Sequence, residues 1–171
     1  MTENRLILAS TSPRRLQLLE QIGVKPSLVM NANIEETPLK AEKPSEFAKR
    51  MALAKASKIF SFNQDQYILA ADTVVAIGRL ILPKAKTKKD VEKSMTLLGG
   101  RNHRVYGGIC LIHPGGIVSQ RLVETKVFMR RLSNEELSTY VAFGDWQGKA
   151  GSYAIQGKGA QYIKKISGSY S

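Results

Sequence analysis

The chain has 171 residues, 43% hydrophobic and 23% charged, which is enough apolar material for a real core in one domain or in two small lobes sharing a sheet. Lys and Arg number 26 against 14 Asp and Glu, a formal charge of +12, so the partner expected is anionic (nucleotide, nucleic acid or an anionic surface) unless the charge is only a basic, soluble surface. The single cysteine, Cys110, excludes an intrachain disulfide and a cysteine-based metal cage; no signal-peptide pattern opens the chain and no run nears the ~18 apolar residues of a spanning helix, so a cytoplasmic protein is expected.

In chain order, a strand over residues 5–9 leads into "STSP" and a helix over 13–22, with Ser12 as its cap, Pro13 in its first turn and Gly23 as its stop. Arg14 and Arg15 stand in that first turn, against the positive end of the helix dipole. A strand over 27–30 runs into a polar loop carrying Glu35 and Glu36. Pro44 and Ser45 open a long helix that passes Phe47, Met51 and Lys58. "QYILAADTVVAIG" reads as one apolar strand, of the kind buried on both faces of a sheet. Thr87 and Asp90 form a capping box for a short helix ending at Gly99. Residues 104–129 are two strand-like runs joined at "PGG", a hairpin. A second box, Ser133 with Glu136, opens a helix that stops at Gly144, and a glycine-rich segment ends in a strand near 160–166. Strands and helices alternate, so the class is α/β with a mixed sheet flanked by helices.

Four features bear on chemistry. A strand, a small-residue turn and a helix N-terminus form an anion site when backbone N–H groups face one point, and two guanidiniums add forked donors. Ser10, Arg14 and Arg15 are therefore candidates for a phosphate cradle, against the alternative of two solvated arginines. No G-x-x-x-x-G-K-[ST] occurs, so a P-loop is excluded. Asp72 interrupts an apolar strand, where a carboxylate is costly unless paired, hydrogen-bonded or metal-bound. It reads as a metal ligand or an activator of water, against a purely structural pairing. Lys55 lies in "MALAKASKI" and Lys84 follows "LILP"; with the arginines and carboxylates they would complete a triphosphate–metal site. Gln156 in "IQGKG" offers an amide that reads a base edge, although that segment lacks a dinucleotide fingerprint. His103 and His113 have no ligand-spaced partners, and Cys110 in "GGICLI" reads as a buried thiol.

Together, "LILASTSPRRLQLL", "IEET", "LAKASKI", "AADTVV", "GGRNHRVYGG" and "GKAGSYAIQGKGAQYIKKISGSYS" resemble the Maf family of nucleoside triphosphate pyrophosphatases over nearly the whole chain. The resemblance implies an elongated, inosine-triphosphatase-like α/β domain over 1–171 with two lobes and a cleft. It also implies a divalent metal (Mg²⁺ or Mn²⁺), a homodimer, and hydrolysis of a nucleoside triphosphate to the monophosphate and pyrophosphate. Asp72 matches the family's proton acceptor; Ser10, Arg15, Glu36, Lys55 and Lys84 match its phosphate- and metal-binding groups, with Glu36 and Asp72 as metal ligands. Arg14, Thr73 and Gln156 match the specificity positions of the dTTP/UTP branch, whereas a branch acting on methylated GTP carries tryptophan in place of Arg14. The sequence departs from the family pattern in three places: "PKA" at Lys84, Gly148 where an aspartate is common, and an end at "SGSYS", where the family continues through a V-V-G-L-P segment and a terminal helix. The competing class is a basic nucleic-acid- or nucleotide-binding regulatory protein without turnover; nucleic acid is disfavoured because the aromatics form no stacking series beside the basic residues.

Overall fold

In the computed structural model, residues 5–171 are described. One mixed sheet contains β1 (Leu6–Leu8), β2 (Leu28–Val29), β3 (Tyr67–Ile77), β4 (Leu80–Leu82), β5 (Asn102–Ile112), β6 (Val118–Met129) and β7 (Ile163–Ser167), in the order β2-β1-β3-β5-β6-β7, with β4 hydrogen-bonded to β3. The helices are α1 (Pro13–Gln21), α2 (Pro44–Phe60), α3 (Lys88–Leu98) and α4 (Asn134–Phe143), and short 3₁₀ turns occupy Ala150–Ser152 and Lys158–Tyr162. The α/β class and mixed sheet expected from the alternation are present. By contact density the chain divides into two compact units, Met1–Asp72 with Gly107–Leu122 and Ser171, and Thr73–Tyr106 with Val123–Tyr170.

The first unit is built on parallel pairing. β1 pairs with β2 (Ile7 opposite Leu28) and with β3 (Leu8 opposite Leu69), both parallel. Parallel neighbours need crossover connections, which α1 and α2 supply. β1 therefore lies where the chain reverses its direction of travel across the sheet, the place where open α/β sheets bind ligands beyond the carboxyl ends of their strands. Ile7, Ala9, Ala32, Ile68, Ala70, Cys110 and Ile112 pack with Ala52, Ala56 and Ile59 of α2. Cys110 is a buried core thiol, and burial pushes its pKa up.

The buried face of α2 repeats every three to four residues through Phe47, Ala48, Met51, Ala52, Lys55, Ala56 and Ile59. Its alanines allow a close approach to the sheet. Gly108 of β5 has no room for a side chain, because a Cβ there would run into the backbone carbonyl of Ala48.

The second unit packs Val75, Leu82, Val91, Met95, Leu98, Met129, Tyr140 and Trp146 into its own core. Both capping boxes form: Thr87 and Ser133 accept the N–H of Asp90 and Glu136, and those carboxylates accept back. Gly144 ends α4 in the left-handed region (φ 84°). His103 is buried beside Tyr153, with Nε2 and the phenol oxygen 2.7 Å apart, and burial pushes its pKa down to about 4.

Three expectations need correction, and one short strand is additional. Ser12 occupies the cap of α1, but its side chain makes no cap bond. β3 is not buried on both faces throughout: Ile68, Ala70 and Asp72 are buried while Tyr67 and Thr73 are exposed, and only Val74, Val75 and Ala76 are buried in succession. The last strand starts at Ile163, because residues 158–162 are coiled into a 3₁₀ turn. β4 was not anticipated, since a three-residue apolar run carries no periodicity.

Gly108→Ala is expected to destabilise the protein by about 1–3 kcal/mol, the usual cost of overpacking, as read from urea unfolding midpoints. His103 takes up a proton at about 4 when folded and near 6.5 when unfolded, so its contribution to stability is complete above pH 6.5 and is lost as pH falls towards 4. Over that window unfolding free energy should drop by about 3 kcal/mol. His103→Leu should flatten that slope in urea titrations run at each pH.

Candidate active site

The site is assembled at the carboxyl end of β1 and along β3 of the first unit. Ala9 N–H bonds to Leu69 O at 2.8 Å, which brings Ser10 alongside the stretch of β3 that leads to Asp72. The Ser10 hydroxyl oxygen accepts the Ser12 N–H at 3.2 Å and Arg15 Nη1 at 2.9 Å. Both bonds use lone pairs and leave the Ser10 O–H as a donor. Ser10 is buried at 6% exposure.

This geometry changes the reading of the helix N-terminus. Pro13 has no N–H, Ser12 N–H is taken by Ser10, and Arg15 N–H bonds to Ser12 O at 3.1 Å. Of the first-turn positions, Pro13 has no amide to offer an anion and the Arg15 N–H is used within the turn, while the Arg14 and Arg15 side chains and the Ser10 hydroxyl remain candidates for phosphate. Arg14 and Arg15 are both half-buried. Burial pulls the Arg15 pKa down, the charges of Asp72 and Glu36 oppose that fall, and Arg14 adds to it.

Lys55 lies at the centre. Its Nζ bonds Asp72 Oδ1 at 2.5 Å and Glu36 Oε1 at 2.6 Å. Lys55 and Asp72 are 9% and 6% exposed. Burial pushes the Asp72 carboxyl above the usual aspartate range. The charge and hydrogen bond of Lys55 pull it back, Glu36 adds to the rise and Arg15 counters it; the net direction is up. Such a carboxylate is a stronger base than an exposed one, and the adjacent ammonium favours its charged form.

Two residues absent from the sequence reading hold the loop that carries Glu36. Arg50 of α2 donates to Glu42 from Nε (2.6 Å) and Nη2 (2.7 Å), and Nη2 also reaches Thr37 O at 3.0 Å. Glu42 Oε2 in turn accepts the Leu39 N–H at 2.9 Å. Arg50 and Glu42 are eight apart, with no periodic relation, so spacing could not pair them. Glu35 is bonded by the Thr37 hydroxyl at 2.9 Å and does not join Lys55.

Thr73, Lys84 and Gln156 belong to the second unit. Thr73 is the exposed residue after Asp72 on β3, Lys84 is exposed just beyond β4, and Gln156 is exposed on the turn before the second 3₁₀ segment. Ser10, Arg15, Glu36, Lys55 and Asp72 are thus brought together within the first unit, with Arg14 beside them on α1.

Among the described residues no three His, Cys, Asp or Glu side chains cluster. Two carboxylates do converge on one cation, the Lys55 ammonium. Mg²⁺ is commonly held by one or two carboxylates plus substrate phosphates, so this donor set fits a divalent ion that arrives with a polyphosphate. Lys55→Met removes the charge and the hydrogen bond that pull the Asp72 pKa down most and leaves only the charge of Arg15 acting in that direction. A carboxylate titration followed by ¹³C NMR should place Asp72 higher in that variant than in the parent, and an unchanged value would overturn the pairing.

The chain matches the family model for Maf-like protein over residues 5–171. The dTTP/UTP pyrophosphatase of Mesorhizobium japonicum is 52% identical over 172 residues, covering 97% of this chain and 83% of that protein. The dTTP/UTP pyrophosphatase of Paramagnetospirillum magneticum is 53% identical over 166 residues, 97% and 87% of the two chains, and that of Caulobacter vibrioides is 53% identical over 165 residues, 96% and 86%. The Staphylococcus aureus Ham1 structure overlaps 81% of this chain and 96% of its own at 14% identity, with a TM-score of 0.48, too partial a likeness to bear on activity. No described helix is long and apolar enough to cross a membrane. With a family match that spans every described residue, the chain belongs to the Maf family.

Proposed function

We propose that the protein is a nucleoside triphosphate pyrophosphatase that hydrolyses dTTP and UTP, modified pyrimidine nucleotides included, to the monophosphate and pyrophosphate. The observation that carries this is the buried Asp72 carboxylate, raised in pKa and held by Lys55 beside Glu36, Arg15 and Ser10. The relatives at about half identity bear the matching name, which supports turnover over nucleotide binding alone.

In this reading Asp72 accepts the proton of a water as its oxygen attacks the α-phosphorus. The new P–O bond forms, the bond from that phosphorus to the bridging oxygen breaks, and pyrophosphate leaves with the electron pair. Arg15, with Arg14, offsets negative charge on the phosphates, and the Ser10 O–H donates to a phosphate oxygen. Lys55 keeps Asp72 ionised until the proton moves. Lys84 of the second unit is assigned to phosphate as well. Glu36 and Asp72 would hold a divalent cation, Mg²⁺ or Mn²⁺, which supplies charge neutralisation on phosphate oxygens. Arg14, Thr73 and Gln156 are assigned to base selection: the carbonyl–imide–carbonyl edge of uracil or thymine pairs with an amide and a guanidinium. A homodimer and a cytoplasmic location complete the reading.

Asp72→Asn keeps the size and loses the base. Pyrophosphate release should fall by at least about 100-fold while the far-UV spectrum is retained, and near-parental turnover would overturn the assignment. Across UTP, dTTP, GTP and ATP, kcat/KM should be higher for the two pyrimidines; a purine preference would remove the substrate reading.

A further inference from the structure

Gln156 lies at the tip of a turn closed by the Gly157 N–H bonding to Ala154 O at 3.2 Å. The entry to this turn is fixed: Tyr153 is buried against His103, and Gly159 sits against the Ala154 carbonyl oxygen, where a Cβ would come to 2.6 Å. The exit is fixed by a residue that the activity above does not use. Asp145 Oδ2 accepts the backbone N–H of Lys158 at 3.0 Å. The same carboxylate fills the space that a Cβ on Gly157 would need.

Asp145 is itself immobilised. It follows Gly144, the left-handed residue that ends α4, and precedes Trp146, which is buried and donates its indole N–H to Val141 O at 3.0 Å. Lys158 is tied a second time to the end of the same helix, with Nζ 3.5 Å from the centre of the Phe143 ring. The residues on either side of Gln156 are therefore anchored to buried or helical positions, while Gln156 is exposed.

We propose that Asp145 is a positioning residue for base selection: by holding the Lys158 amide against a side-chain-free Gly157, it sets the conformation in which Gln156 presents its amide to the base. This rests on the reading of Gln156 as a base-contacting residue. It makes pyrimidine preference depend on a carboxylate eleven residues away in sequence that touches no substrate atom.

The test compares kcat/KM for UTP and for ATP in the full chain, together with calorimetric binding of UMP and AMP. Asp145→Ala should lower the UTP-to-ATP ratio by about fivefold, the scale of one lost hydrogen bond. Asp145→Asn should keep the ratio, because its amide oxygen accepts the same N–H. Gly157→Ala should lower the ratio as Asp145→Ala does, and should add little in the Asp145→Ala background, where the group its Cβ would strike is gone. Gln156→Ala is run in parallel. If it shifts the ratio while Asp145→Ala and Gly157→Ala leave it unchanged, or slow both nucleotides equally, the positioning role is wrong and the pyrimidine reading stands. If Gln156→Ala leaves the ratio unchanged, the assignment of Gln156 fails and the role of Asp145 falls with it.

Discussion

A single buried ammonium organises the first unit. Lys55 holds Asp72 and Glu36 at 2.5 and 2.6 Å, and it does so from the apolar face of α2, among Met51, Ala52, Ala56 and Ile59. Removing an ion from water costs several kcal/mol, so buried charges are tolerable there only when paired, and Lys55 has both Asp72 and Glu36 as partners. Where the lysine stands depends on how closely α2 approaches the sheet, and the contact between Ala48 and Gly108, about two turns earlier on the helix, sets that approach. A hydrophobic replacement would suit stability better, so an arrangement of this cost points to chemistry rather than folding.

The topology explains why residues so distant in sequence arrive together. With β1 between β2 and β3, all parallel, the carboxyl ends of these strands lie on one side. Ser10 leaves β1 there, the loop bearing Glu36 follows β2, and Asp72 lies on β3 beyond the stretch paired with β1. Arg15 needs only one turn of α1 to reach back to the Ser10 hydroxyl. The Arg50–Glu42 pair then ties the Glu36 loop to the helix that carries Lys55, so the ammonium and the two carboxylates it holds share one support.

Local rules made much of this legible. Both capping boxes, the Gly144 stop and the long hairpin could be read directly, because each is written within a few neighbouring residues. Asp72 stood out through the cost of a carboxylate in an apolar strand, and that cost is visible without coordinates. Lys55 could be placed in the same site by residue type, but its ion pair with Asp72 could not be read, because the two are 17 apart and only the crossover from α2 to β3 joins them. The same holds for Arg50 with Glu42 and for Asp145 with Lys158, where the second partner is a backbone amide or a residue at no regular spacing. Ser12 shows the opposite failure. The residue type and position suit a cap, but the Arg15 N–H that such a cap would accept bonds to the Ser12 carbonyl, and the Ser12 side chain makes no cap bond.

The first unit is discontinuous in sequence, and this shapes how the chain can fold. Its core includes Cys110 and Ile112, and the glycine that admits α2 is Gly108, all on β5 and separated from β3 by the whole of β4 and α3. A chain emerging from the ribosome therefore carries α1, α2 and β3 before the strand that completes their core exists. Contacts of such long sequence separation are closed late and slowly, because loop entropy is lost before they form. Until β5 arrives, the apolar face of α2 stays partly uncovered with Lys55 embedded in it. The Lys55 charge then serves, during synthesis, as a polar interruption in an apolar face that would otherwise be a continuous target for aggregation.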